Sequence, residues 1–448
     1  MGKTFTHISF TLRSILLLLA CCACRPNIVS VEPSLGVLNV QRVMAFGDGY
    51  TAGFTNTARD YSEPTPEALL MGWHEEGQAM AFPLLLSGQL SISAGEAVNF
   101  ETPFSPGNGS GQLSLESMTP PECSYESAQP KFGLTQASPT WQEASSTRLY
   151  QNLGVPGLKV GDIQKAGYQE QNPFFKQLNY NGDQHYLALL EQAQPSLFTL
   201  WLGMEDVLAY GLRGGQDSSF YPTAPTLFAQ NFAALLHLLV EVNPNEAVGL
   251  IGTIPDLRVL PYFSATPRTF TGCNGIERPL YIQTSGQNEA VVAQETDFIL
   301  LPAKDLIGSI TDPGNQYEFG LSANNPIPDY WVLDQDESEV VVDHINAYNQ
   351  SIDSLITSFN NQLGRTALKT VNMVNFYYLL SLGVLRDGLE INNQYLSGGI
   401  FGLDGIYLTP RGNAMMANRF IEAINETTEL NAQIPELTIT DYVGVVYP

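Results

Sequence analysis

Basic residues are scarce in this chain: 20 Lys and Arg stand against 45 Asp and Glu over 448 residues, a formal charge of -25. Nucleic acid and anionic headgroups repel such a surface, so both are excluded as electrostatic partners. Cysteine is scarcer still. There are five, three of them clustered at Cys21, Cys22 and Cys24. The two in the body, Cys123 and Cys273, give no metal-ligand spacing, so a cysteine metal centre is excluded and no cofactor or metal is expected. Long hydrophobic runs are also missing near the N-terminus. The stretch SILLLLA, about seven residues, is too short to cross a bilayer, which takes about 20. Only 15% of residues are charged, while 39 Gly and 28 Pro predict a chain rich in loops.

That short run still carries information. Lys3 and Arg13 flank a polar lead, and Leu18, Leu19, Ala20 and Cys21 then resemble a bacterial lipobox, in which the cysteine is acylated and becomes the first mature residue. Cys24 is the alternative lipidation site, although the residue three before it is Cys21 rather than an aliphatic one. The resemblance implies a lipoprotein signal peptide over 1–20 and a lipidated N-terminus and tether over 21–40. It places the protein at the cell envelope, as an outer membrane lipoprotein facing the periplasm or the cell surface. Acyl chains contribute roughly 0.8 kcal/mol per buried CH₂, so several would hold it on a membrane without a spanning helix. In such an oxidising compartment Cys123 and Cys273 are a disulfide candidate, with two buried free thiols as the other reading.

The body, with 44% hydrophobic residues in the whole chain, is long enough to bury one large core. It begins with VMAFGDGYTAGF, Val43 to Phe54, which reads as a buried strand, a tight Gly-Asp-Gly turn and a helix start. Pro83 suits the first turn of a helix that Leu84, Leu85 and Leu86 pack down. A long surface insertion is expected near 91–146. Asp183 to Ala193 has Tyr186, Leu189, Leu190 and Ala193 on one helical face, with Asp183 as N-cap. Ser196 to Leu202 and Ala247 to Ile254 are nearly unbroken apolar runs, as in parallel strands covered on both faces. Thr226 to Val242 is a helix between them, and 256–329 is a second irregular insertion with no repeat. A helix resumes at about Glu339, TALKTVNMVNF supplies a further strand, and Thr409 and Pro410 open a closing helix through Asn425. The remainder, 431–448, is a C-terminal tail. Apolar strands alternating with amphipathic helices predict an α/β fold, a flavodoxin-like three-layer α/β/α sandwich with a mainly parallel sheet and long loop insertions. The domain should run over 41–430.

Four blocks resemble the SGNH (GDSL-type) hydrolases, in order and across Val43 to Asn425. In that family a serine attacks an ester carbonyl, a histidine takes its proton, an aspartate three residues earlier orients the ring, and a glycine N–H with an asparagine amide holds the oxyanion. Gly47, Asp48, Thr51, Ala52 and Gly53 match the first block, but the nucleophile position is Gly49. Gly157, in YQNLGVPGLKVGDI, matches the oxyanion glycine; a plain turn needing positive φ would use glycine there too. In LGMEDVLAY, Gly203 and Asp206 match and the asparagine position is Glu205. In FGLDGIYLTPRGNAMMAN, Asp404, Thr409, Pro410 and Gly412 match and the histidine position is Tyr407. The runs NLGVPG, LFTLWLG and IPDLRVLPYF are similar to those of lipid-anchored members of the family in bacteria of the Bacteroidetes type.

Each substitution removes a different requirement. Gly49 has no side chain to attack with, and Tyr407, with an ordinary pKa near 10, is a poor base at neutral pH. An ionised Glu205 would face a developing oxyanion, where losing one donor alone costs about 10² to 10³ in rate. Tyr50 and Thr51 carry hydroxyls but are displaced from the attacking position, and His74, His185, His237 and His344 fall outside the last block; His344, beside Asp343, is the best placed of them. Asp48, Glu205, Asp206 and Asp404 together admit a hard-cation site or a carboxylate pair, against the plainer reading that Asp48 and Asp206 bond backbone amides and Glu205 pairs with Tyr407. The expectation is a catalytically inactive member that binds a ligand or partner in the crevice lined by Asp48, Gly49, Gly157, Glu205 and Tyr407. Acyl chains, acylated glycans or an outer-membrane protein are the occupants the resemblance suggests. An active esterase using non-standard residues is the alternative.

Overall fold

A computed structural model describes residues 32–57, 71–119, 129–140, 148–179, 182, 185–286, 289–310 and 316–448. The expected signal peptide, Cys21 and Cys24 lie outside them. The expected elements appear in order. Strand β1 is Val43–Gly47, followed by a single helical turn, α1, Gly49–Ala52. Then come α2 (Phe82–Ala94), β2 (Asn152–Gly154), β3 (Leu197–Trp201), α3 (Glu205–Gly211), α4 (Pro225–Leu236) and β4 (Val248–Gly252). The closing part holds α5 (Gln335–Leu363), β5 (Leu368–Val371), α6 (Met373–Leu382) and α7 (Pro410–Asn425).

The five strands form one parallel sheet in the order β5-β4-β3-β1-β2. Read from the other edge this is 2-1-3-4-5, the flavodoxin-like order, in which ligands sit where the chain leaves β1 for neighbours on either side. The apolar runs are strands because both faces are covered: every residue of β1 and β3 is buried. Helix α2 packs on α7, with Phe82 stacked on Phe420 at 4.8 Å, while α4 packs on α5, with Phe228 stacked on Tyr348 at 4.0 Å. Burying aromatic pairs of this size dominates the energetics of such layers.

Several local expectations differ from what the chain does. The helix expected over Asp183 to Ala193 is Tyr186–Leu190, opened by His185, whose Nδ1 accepts from the Ala188 amide at 3.1 Å; Asp183 itself lies outside the described residues. Helix α5 starts at Gln335 rather than near Glu339, because Asp334 and Glu337 form a reciprocal capping box that fixes its first turn. The strand in TALKTVNMVNF stops at Val371, where the Asn372 side chain accepts from the Asn375 amide and starts α6. Within the 91–146 insertion Gln112–Thr119 and Gln129–Thr135 pair as antiparallel strands. The 256–329 insertion has a small core of its own around Leu280, Ile282, Ile299, Ile327 and Val332.

Two segments flanking the expected domain are bonded to each other and to it. Ser34 and Gln433 exchange two backbone hydrogen bonds at 3.0 and 2.7 Å. Beyond them Leu437 and Ile439 are buried, and Asn418 on α7 bonds both the amide and the carbonyl of Leu437 at 2.8 and 2.9 Å. Ser34 and the stretch from Gln433 to Ile439, which fall in the expected tether and C-terminal tail, are thus bonded to each other or packed on the domain. Cys273 is disulfide-bonded, and Cys123, its candidate partner, lies outside the described residues.

Candidate functional site

The carboxyl ends of β1, β2 and β3 meet the loop before α7. Asp48 follows β1 and caps α1, its Oδ1 accepting from the Tyr50 amide at 3.0 Å. The Tyr50 hydroxyl donates to the Ile406 carbonyl at 2.9 Å, joining the first block to the last. The 401–408 loop is folded by Asp404, whose Oδ1 accepts from the Ile406 and Tyr407 amides at 2.7 and 2.9 Å and whose Oδ2 accepts from the Thr57 amide at 2.8 Å. An aspartate three residues before the critical side chain thus orients that residue through its backbone. Asp206, at the start of α3, accepts from Val160 and Gly161 at 2.7 and 3.0 Å and ties the second block to the third.

These bonds deliver one side chain to the centre. The Tyr407 ring lies against Tyr50 and Phe54, with centroids 5.0 and 5.1 Å away, and its hydroxyl donates to Glu205 Oε1 at 2.5 Å. Gly49 lies directly beneath: a Cβ there would sit 2.8 Å from Tyr407 Cε1 and 3.3 Å from Phe54 Cβ. Glycine at this position is the condition for the tyrosine to seat. Gly157 is exposed with φ +76, and a Cβ on it would meet only Asn172 Nδ2 at 3.8 Å, so its glycine is required by backbone conformation rather than by crowding.

Burial governs the electrostatics. It raises Glu205, an effect that the Tyr407 hydroxyl and Lys159 partly offset and Asp206 reinforces. It raises Asp48 well above the usual carboxylate range, with Glu205 adding to the rise. Asp206 and Asp404 are both pushed up to about 6 by burial, against the pull of the amides they accept from. All four acids are already bonded, three to backbone amides and Glu205 to Tyr407. Among the described residues no three His, Cys, Asp or Glu side chains are placed to hold a metal.

The histidines are elsewhere. His74 caps a short helix through Nδ1, and burial lowers its pKa to about 4. His344 Nδ1 lies 2.7 Å from the Val340 carbonyl, beside Tyr221 and Tyr348. His237 pairs with Glu241, and His185 caps its own helix. None of the four lines the crevice beside Tyr407.

That crevice has a volume of about 250 Å³ and is lined by Gly157, Glu205 and Tyr407 from the expected set. Asp48 and Gly49, expected to line it, do not: both are buried, Gly49 beneath the tyrosine ring. Its walls add Phe54, Phe174 and Phe220, with Lys159 and Arg213 at one side. Lys159 lies within the second block, two residues after Gly157, and could have been marked as basic beside the site. Arg213 lies in the turn after α3 and Phe220 ends the short 3-10 helix Ser218–Phe220; neither carries a periodic signal.

Residues 43–420 match the family model described as GDSL-like Lipase/Acylhydrolase. The chain belongs to that family. No curated protein matches it. The matched span begins at β1 and ends within α7, so the GDSL domain contains the parallel sheet and every residue of the site described above.

Proposed function

We propose that this GDSL-family chain does not hydrolyse esters and instead binds a small ligand in the crevice beside Tyr407, at the cell envelope, to which an acylated Cys21 anchors it. The observation that carries this reading is the seating of Tyr407 over Gly49 with its hydroxyl on Glu205. The pair fills the volume where a nucleophile and its base would have to meet, and leaves an acid where an oxyanion donor is needed. The crevice that remains is open, mostly apolar, and has a few convergent polar groups, which is the character of a binding site. Acyl-bearing small molecules and acylated glycans remain the ligand classes suggested by membership of the family.

The test is direct. Purified protein is incubated with short p-nitrophenyl esters and with a fluorophosphonate probe, beside a heat-killed control. No turnover and no labelling are expected; either one above the control overturns the reading in favour of an esterase with non-standard residues. Metabolic labelling with a clickable fatty acid should mark the wild-type chain and fail on Cys21→Ala. Labelling retained in that variant and lost in Cys24→Ala would move the anchor.

A further inference from the structure

The sign of the crevice is opposite to that of the protein. Its lining carries two cations, Lys159 and Arg213, and one acid, Glu205, whose ionisation burial opposes. In a chain with 45 acids and 20 bases, such a spot concentrates the local field and draws anions from a surface that otherwise repels them.

Both cations gather on one ring. Arg213 Cζ lies 3.7 Å from the Phe220 centroid, and its Nη1 donates to the Ala209 carbonyl at 3.0 Å, which fixes the guanidinium before anything binds. Lys159 Nζ lies 5.8 Å from the same centroid. No ion pair holds Lys159 among the described residues. The acids it feels, Glu205 and Asp206, are engaged by the Tyr407 hydroxyl and by two backbone amides. Gly157 also lines the crevice; it is exposed, and its amide makes no hydrogen bond among the described residues. The same crevice is lined by Phe54 and Phe174, which meet edge to face at 5.5 Å and give it an apolar wall.

The geometry points to a ligand with an anionic oxygen group, a carboxylate or a phosphate ester, bound by Lys159, Arg213 and the Gly157 amide, with its apolar body against Phe54 and Phe174. This rests on the ligand-binding reading above and narrows it. Charge-assisted bonds from a fixed guanidinium and an ammonium favour such a group over its neutral isostere.

The experiment uses the intact chain and four probes, benzoate, phenyl phosphate, benzamide and benzyl alcohol, followed by calorimetry and ligand-observed NMR. The two anions should bind about tenfold or more tightly than the neutral pair, with affinity falling as salt rises. Whichever anion binds more tightly tells carboxylate from phosphate. Lys159→Gln, on a half-exposed side chain, should weaken anion binding about tenfold without shifting the unfolding midpoint, and Arg213→Lys should weaken it less than Arg213→Gln. Equal binding of benzamide and benzoate, or Lys159→Gln binding anions as the parent does, overturns the anion assignment while leaving the ligand reading intact. Absence of saturable binding by all four at millimolar concentration overturns it as well. Ester turnover would instead overturn the reading beneath it.

Discussion

Gly49→Ala is the smallest change that tests how Tyr407 is seated, because the sign of its effect separates two outcomes. Gly49 is the first residue of a helical turn and its φ is not positive, so the backbone there accepts alanine. On helix propensity alone alanine would stabilise the chain by about 0.5–1 kcal/mol. The added Cβ, however, sits 2.8 Å from Tyr407 Cε1. That ring cannot swing aside, since Tyr50 and Phe54 pack on it and its hydroxyl is fixed to Glu205 at 2.5 Å. Overpacking of a closed core costs about 1–3 kcal/mol, so the clash outweighs the propensity gain and the variant should be destabilised by about 1–2 kcal/mol. In a Tyr407→Ala background the obstacle is gone, and the same change should be neutral or stabilising, a coupling of about 1–3 kcal/mol in the double-mutant cycle. Urea unfolding followed by tryptophan fluorescence reads all four proteins, with Trp201 packed 5.0 Å from Tyr50 as a local reporter. A Gly49→Ala chain as stable as its parent would refute the seating argument and reopen the position to a side chain.

Gly49→Ser with Tyr407→His should regain little esterase activity until Glu205→Asn is added, because the carboxylate would still face the oxyanion; strong turnover of p-nitrophenyl esters by the double variant would contradict this. Tyr407→Phe removes the donor to a buried carboxyl and should cost about 1.5–3 kcal/mol in urea unfolding, and a loss near zero would mean the bond is absent in solution. Asp206 and Asp404 hold protons in the folded chain up to about pH 6, against 3.8 for an ordinary aspartate. Stability from these groups should therefore fall as pH rises from about 4 to 6 and stay flat above, by about 3 kcal/mol per group; Asp404→Asn should flatten part of that slope, and an unchanged slope would refute the assignment. Asn418→Ala strands the Leu437 amide and carbonyl and should cost about 1–3 kcal/mol, which a chemical unfolding midpoint will show.

The sheet was legible because parallel strands covered on both faces leave unbroken apolar runs, as in LFTLW, and because Thr409 and Pro410 announce α7 through local chemistry. The Glu205 and Tyr407 pairing was legible too, since two motif blocks placed both residues at one strand-end cluster. What the residues concealed depends on contacts far apart in the chain. Whether Gly49 is an empty position or a roofed one is decided by a ring 358 positions later. The capping box that starts α5 lay in plain sight at Asp334 and Glu337, yet its acidic run carries no apolar period and the helix was read only from where the period begins. The hairpin in the first insertion escaped because its strands are half exposed and lack clean alternation. Lys159 and Arg213 come together only through Phe220, which no spacing rule connects to them.

The paired bonds between Ser34 and Gln433 also bear on mechanics. A load entering from the front of the chain meets that clasp before it reaches the first strand of the sheet. Because the segment beyond Gln433 is gripped in turn by α7 through Asn418, the force is spread into that buried helix as well. A pull applied ahead of Ser34 is therefore shared with the closing block before it loads the sheet.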